Sequence, residues 1–364
     1  MSTPLSHRPL ADIVHQYSSI PPAQLAAALS APAAAADFRS EFIAAHEHRL
    51  TVAGVSLRVC HNIGAQTPAH TPLHCFVHGL GGNLEQFEPL LRATADAGRA
   101  FVALDLPGFG QSDASPGAVY PMLWVGSVVQ QAVAAAWTEG RGGRDSAGDS
   151  AGTAALPPLP PLVLIGHSMG CYIALHLLCD ITLPNAIHGL VLISPPRTSL
   201  PELDPARWSS AQAGLALLWR APWLLDAYRH WWDQPRGLRS SGIAKFFADH
   251  SENDAEDIPR TYRLLQQFRN NLRTPSASVA GYLRGWRALD WARVRHCTGD
   301  CALPPLVLCG DADRVTPPAD ARAFAAELGG SAAFELVEGC GHNAPCDAPE
   351  RVCALFSAHC FGHK

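Results

Sequence analysis

Short apolar runs of strand length alternate with helix-length stretches along most of this chain, and that alternation limits the fold more than any other feature. Leu73–Val77, Ala100–Leu104, Leu162–Ile165, Gly189–Ile193, Pro305–Cys309 and Ala333–Val337 read as strands. Helical patterning falls between and after them, at Phe87–Ala97, Val119–Trp137, Cys171–Asp180, Pro318–Leu328 and Ala348–His359. Strands covered on both faces by crossover helices read as such continuous apolar runs, so the pattern implies an α/β domain with a largely parallel sheet. A hairpin turning at Gly54, with arms Leu50–Ala53 and Val55–His61, precedes them. The alternation breaks once, from Pro196 to Arg295, where the patterning is helical with no convincing strand. Strand–helix units resume afterwards. Residues 197–295 therefore read as a helical lid inserted into a core made of residues 49–196 and 296–364.

Outside that core, residues 1–48 are rich in Ala and Pro and read as an N-terminal appendage, with helical character near Gln24–Leu29 and Asp37–His48. Gly140–Ala155 is low in complexity and reads as a disordered surface insertion. A chain of 364 residues, 48% of them hydrophobic, can bury a large core. Its net charge of −5 gives no reason to expect a nucleic-acid partner. No apolar run reaches the length of a signal peptide or a membrane span, so a cytoplasmic protein is expected. Eleven cysteines, an odd number without a secretion signal, argue against a disulfide framework. Cys346, Cys353 and Cys360 recur every seven residues and read as small apolar residues on one face of a C-terminal helix. Cys297 and Cys301, near His296, fit no zinc spacing. Neither metal nor cofactor is expected.

The chemistry is concentrated in a few loops. Gly166-His167-Ser168-Met169-Gly170 directly follows an apolar strand and directly precedes a helix. Glycines two positions either side of a serine permit a very sharp strand-to-helix turn, which pushes the Ser168 hydroxyl out at the carboxyl end of the sheet. A serine hydroxyl needs a base within hydrogen-bond reach to act as a nucleophile. His342 lies on the Gly-rich loop after the last strand, at the same sheet edge. A carboxylate should orient that base, and Gly310-Asp311-Ala312-Asp313-Arg314 offers Asp311 and Asp313. Ser, Asp and His then follow one another in the order expected for strand ends of such a sheet. Acyl transfer also needs donors for a developing oxyanion; the backbone N–H groups of Met169 and of Leu80, in His78-Gly-Leu-Gly-Gly82, are the candidates. That Gly-rich loop lacks the Lys-Ser/Thr of a phosphate-binding loop.

These motifs, together with Asp105-Leu-Pro-Gly-Phe-Gly-Gln-Ser-Asp113, resemble the α/β-hydrolase fold family, in its branch of serine hydrolases with a helical lid. The resemblance spans about Leu50 to Phe361. It implies a mostly parallel eight-stranded sheet flanked by helices, with the lid inserted after the sixth strand. It further implies Asp313 as the acid, since the alternative position after the sixth strand has no carboxylate before Glu202. Asp105 resembles the family's structural aspartate. Ser168 excludes the relatives that use an Asp nucleophile. Three other activities of the fold remain open: carbon–carbon bond hydrolysis, a silent ligand-binding role, and acyl transfer to a lysophospholipid. The last is raised by the His-x4-Asp spacing of His342 and Asp347.

Seven of the nine tryptophans fall in residues 197–295, a segment with 15 Lys and Arg against 10 Asp and Glu. An aromatic, basic lid over an acyl-transfer site points to an apolar ester substrate, met at an anionic lipid surface. The expected activity is therefore that of a serine hydrolase acting on carboxylic esters.

Overall fold

The computed structural model describes residues 40–114, 119–142, 159–180, 187–204, 209–233, 240–248 and 258–362. The helix expected at Gln24–Leu29 and most of the expected insertion at 140–155 lie outside them. Eight strands form one sheet in the order β1-β2-β4-β3-β5-β6-β7-β8. They are β1 (Glu47–Val52), β2 (Val55–His61), β3 (Leu73–Val77), β4 (Phe101–Leu104), β5 (Leu162–His167), β6 (Ile187–Ile193), β7 (Leu306–Gly310) and β8 (Ala333–Val337). β1 pairs with β2, and β2 with β4, antiparallel; all other pairs are parallel. The hairpin turns as expected, with positive φ at both Ala53 and Gly54. Its first arm starts earlier than the sequence pattern shows, because Glu47 and His48 pair with Cys60 and Val59.

Alternation along the central strands divides the core in two. Cys75, Val77, Leu164 and Leu192 face the side covered by α3 (Met122–Gly140) and α4 (Met169–Cys179). Phe76, Val163, Ile165 and Val191 face the side covered by α2 (Glu88–Asp96) and α13 (Pro349–Phe361). Burial of both faces explains why these strands are apolar at most positions, each large side chain contributing about 1.5–3 kcal/mol. The short α1 (Glu41–Ala45), capped by the Ser40 hydroxyl, tucks Ile43 into the second of these clusters. The N-terminal segment is thus packed on the core from residue 40 onward.

Between β6 and β7 run α5 (Ser210–Arg220), α6 (Trp223–Tyr228), a single π-helical turn (Arg229–Asp233), α7 (Ser241–Ala244), α8 (Ile258–Arg273), α9 (Ser276–Arg284) and α10 (Trp291–Gly299). α10 begins at an Asp290 side-chain cap and runs through the expected boundary at residue 295. After β7 come α11 (Pro318–Leu328), then α12 (Ala344–Asp347) beyond β8. Cys346 lies in α12 and not in α13, so the expected seven-residue cysteine stripe is split. Cys353 and Cys360 pack on one cluster and Cys346 on another, because Ala348 leaves helical geometry between them. Among the described residues no helix is long and apolar enough to cross a membrane.

One buried ionic cluster pins the sheet edge to the loops above it. Arg58 on β2 is 2% exposed and bonds Glu47 and Glu85 at 2.9 and 2.5 Å, with Asp105 at 3.4 Å. Asp105 also accepts from the Leu84 and Gln111 N–H groups, both at 2.8 Å, so one carboxylate organises the loops after β3 and β4. Removing the cation leaves three carboxylates unpaired. Arg58→Met should therefore lower the unfolding free energy by about 3–5 kcal/mol, read from urea denaturation; a loss under about 1 kcal/mol would show that the cluster is relaxed by solvent.

Candidate active site

The turn between β5 and α4 is possible only because three glycines surround it. Ser168 sits at φ 51°, ψ −122°, a strained conformation for a residue with a side chain. A Cβ on Gly170 would lie 2.1 Å from the Val77 carbonyl oxygen, and one on Gly166 2.7 Å from the Gly170 backbone. On Gly79 a Cβ would come within 2.9 Å of the Ser168 Cβ. The Ser168 N–H donates to the Ile193 carbonyl at 2.9 Å, holding the turn against β6. Met169 is buried and opens α4; a first helical residue has no intrahelical acceptor for its N–H.

Ser168, His342 and Leu80 line one cavity of about 410 Å³. His342, 1% exposed, projects from the loop after β8. Its Nδ1 donates to Asp313 Oδ2 at 2.9 Å, because a carboxylate can only accept, so in a neutral ring Nε2 would be the nitrogen without the proton. Asp313 lies after β7 and its four hydrogen bonds fill both oxygens. Oδ1 accepts from the N–H groups of Val315 and Thr316 at 2.8 Å each, and Oδ2 also from the Thr316 hydroxyl at 2.8 Å. The other candidate, Asp311, is exposed and accepts from the Cys340 N–H at 3.1 Å, while Glu202 pairs with Arg197. Of the two carboxylates in the loop, Asp313 alone meets the imidazole.

Burial alone would raise the Asp313 carboxyl. The His342 hydrogen bond and charge, with the Thr316 donors, outweigh burial and hold it below its ordinary value. Two further histidines set the frame. His78, fully buried, donates from Nδ1 to the Gly79 carbonyl and accepts at Nε2 from the Leu106 N–H, both at 2.8 Å. Burial lowers it to about 4, so it stays neutral and fixes the loop carrying Leu80. His167 is lowered by burial to about 3 and donates from Nε2 to the His342 carbonyl at 3.0 Å.

Known proteins share this arrangement of strands. A family model described as the alpha/beta hydrolase fold matches residues 75–349. The chain belongs to that family. A Saccharomyces cerevisiae protein named lipid droplet hydrolase 1 is 33% identical over 368 residues, spanning 97% of this chain and 93% of that protein. Among solved structures, a thermophilic esterase from Thermogutta terrifontis matches with a TM-score of 0.58 at 20% identity, over 85% of this chain and 96% of its own. An alpha/beta hydrolase enzyme from a Medee basin deep-sea metagenome library matches at 0.60 and 15%, over 87% and 98% respectively. Both share the fold.

Within this α/β hydrolase, the structure adds residues that the sequence pattern did not single out. Thr316, three positions after Asp313, completes an Asx-type turn; the D-x-x-T spacing was the available signal. Asp347, the other half of the His-x4-Asp spacing, has a structural account. Its Oδ2 accepts from the Gly341 N–H and the Ala248 N–H, each at 2.7 Å, tying the His342 loop to the helical segment. The Asn343 N–H donates to the Phe246 carbonyl at 2.8 Å, a second tie. Asn270 of α8, and Thr274 just after that helix, both donate to the Gly81 carbonyl, at 2.7 and 3.2 Å.

A carboxyl held down in the folded state stabilises the fold above its unfolded-state pKa of about 4, and that contribution drains away as pH falls through the depressed value. Asp313→Asn lacks it. The Tm advantage of the wild type over this variant should be present at neutral pH and shrink below about pH 4; an advantage unchanged with pH would show that Asp313 is not ionised in the fold.

Proposed function

We propose that this α/β hydrolase is a serine esterase that forms an acyl-enzyme on Ser168. The buried His342–Asp313 hydrogen bond, facing a cavity that Ser168 shares, carries the reading. In the proposed reaction His342 Nε2 takes the Ser168 proton as Oγ attacks the ester carbonyl. Asp313 stabilises the resulting imidazolium. The Leu80 and Met169 N–H groups receive the tetrahedral oxyanion. Collapse breaks the bond to the alcohol oxygen, which leaves with the proton from His342. Water, deprotonated by His342, then attacks the acyl-enzyme and releases the carboxylic acid, returning the proton to Ser168. Every proton is accounted for within the site, and no step requires a cofactor.

An apolar acyl group fits the lid reading of the helical segment. Leu217, Trp223, Tyr228, Trp231 and Trp232 stand exposed on α5, α6 and the π-helical turn, with Trp231 78% accessible. The same turn sends Arg229 and Asp233 to the cavity wall. Exposed indoles beside a substrate cavity suit a lipid–water boundary, where one end of the ring is apolar and the other wet. The similarity to a protein named for lipid droplets supports this reading.

A fluorophosphonate probe should label the wild type, fail on Ser168→Ala and label His342→Ala far more slowly; an unlabelled wild type would remove the nucleophile. Anionic phospholipid vesicles at low salt should co-sediment the protein, and Trp231→Ala with Trp232→Ala should weaken this several-fold. Wild-type protein left in the supernatant would end the lipid-surface reading and leave the esterase reading standing.

A further inference from the structure

Away from the catalytic edge, side chains from three elements converge on one point. His48 stands on β1, His61 ends β2, and Glu139 lies in the last turn of α3. One ring nitrogen of each histidine and one oxygen of the carboxylate lie within 4.8 Å of one another. The tightest pair is His48 Nδ1 and Glu139 Oε1, at 2.9 Å. The two imidazoles are stacked, with centroids 3.9 Å apart and planes 11° from parallel. His61 is buried, whereas His48 and Glu139 are each about one-third exposed, which leaves a solute a way in. Burial lowers His61 to about 4, so near neutral pH its ring keeps a lone pair.

The electrostatics there favour a cation. α3 turns the negative end of its dipole to this point, and its last turn carries the Glu139 carboxylate and no basic residue. Arg141 follows the helix, but its guanidinium bonds the Thr67 carbonyl and lies over the Trp137 ring, 5.0 Å from the centroid. The donor set then selects among cations. Magnesium and calcium favour shells of oxygen, while two imidazoles with one carboxylate suit zinc. Zinc bonds of about 2.0–2.2 Å set tetrahedral ligand atoms about 3.4 Å apart, so the stacked rings have to tilt open by a small side-chain rotation. The metal replaces the proton shared by His48 and Glu139, and each ring keeps one proton on its other nitrogen. The contact from the Ile63 N–H to His61 Nδ1 is given up whichever nitrogen ligates; at 3.3 Å it is a long one.

We infer that His48, His61 and Glu139 form a zinc site that staples the β1–β2 hairpin to the end of α3, with water in the fourth position. It stands apart from the proposed reaction. His61 pairs with Val102 near the amino end of β4, whereas Ser168, Asp313 and His342 follow the carboxyl ends of β5, β7 and β8. The metal would give the hairpin an anchor in addition to the Arg58 cluster, which holds the same two strands from Glu47 and Arg58.

The test titrates the full chain, first stripped with a chelator, with zinc chloride at fixed neutral pH by calorimetry. Zinc should bind and, at saturation, raise Tm by about 3 °C or more. His48→Phe keeps a ring over His61 and removes the nitrogen; Glu139→Gln removes the charge. Each should weaken zinc binding about tenfold or more and abolish most of the Tm shift. Both positions are part-exposed, so folding does not depend on them. Absence of zinc uptake by the wild type overturns the inference. So does uptake of equal affinity in both variants, which would place the metal on other histidines or cysteines.

Discussion

The whole arrangement depends on how closely backbone can approach backbone around Ser168. A residue with a side chain at positive φ costs about 1–3 kcal/mol, and here it is held by β3, β5 and β6 together. Gly79, Gly166 and Gly170 remove the Cβ atoms that would otherwise collide with Ser168, with the Gly170 backbone and with the Val77 carbonyl. Without that contact the β5 strand could not pass straight into α4, and the loop carrying Leu80 could not lie against the turn. The strained geometry and the close loop are one constraint.

Electrostatics around this turn follow from burial. His78 and His167 are both driven neutral, and each then uses its ring as one donor with a defined direction. His342 has a different partner, a carboxylate. Asp313 reaches that position with its other lone pairs already committed to Thr316 and Val315, so its orientation does not depend on the imidazole alone. An acid so fully bonded resists rotation. It also holds the imidazole in the tautomer with Nε2 free of a proton.

Much of this was legible in the residues. Short runs of strand residues located the six parallel strands within two or three residues; the central ones are covered on both faces and almost fully buried, while β8 at the edge is partly exposed. The glycines around Ser168 and the loops after β7 and β8 marked Ser168, Asp313 and His342 as candidates, because each of those motifs is local in the chain. What sequence could not show depends on partners far away. Asp347 looked like half of a catalytic spacing, yet its oxygen meets Ala248, 99 residues away. Asn343 was only the neighbour of a histidine, yet its amide meets Gln267, 76 residues away. The cysteine period misled because the helix breaks at Ala348, where backbone geometry overrides a seven-residue spacing.

The Asp347 oxygen has a further consequence. One atom serves as acceptor for both the loop before His342 and the N–H of Ala248. Its position is then a shared coordinate of two parts that are far apart in the chain. Thermodynamic linkage makes such sharing reciprocal. A force that draws residues 246–248 away from the cavity also draws on the anchor of the histidine loop, and a ligand that settles the histidine loop steadies residues 246–248 by the same free energy. The base and residues 246–248 thus lean on one oxygen.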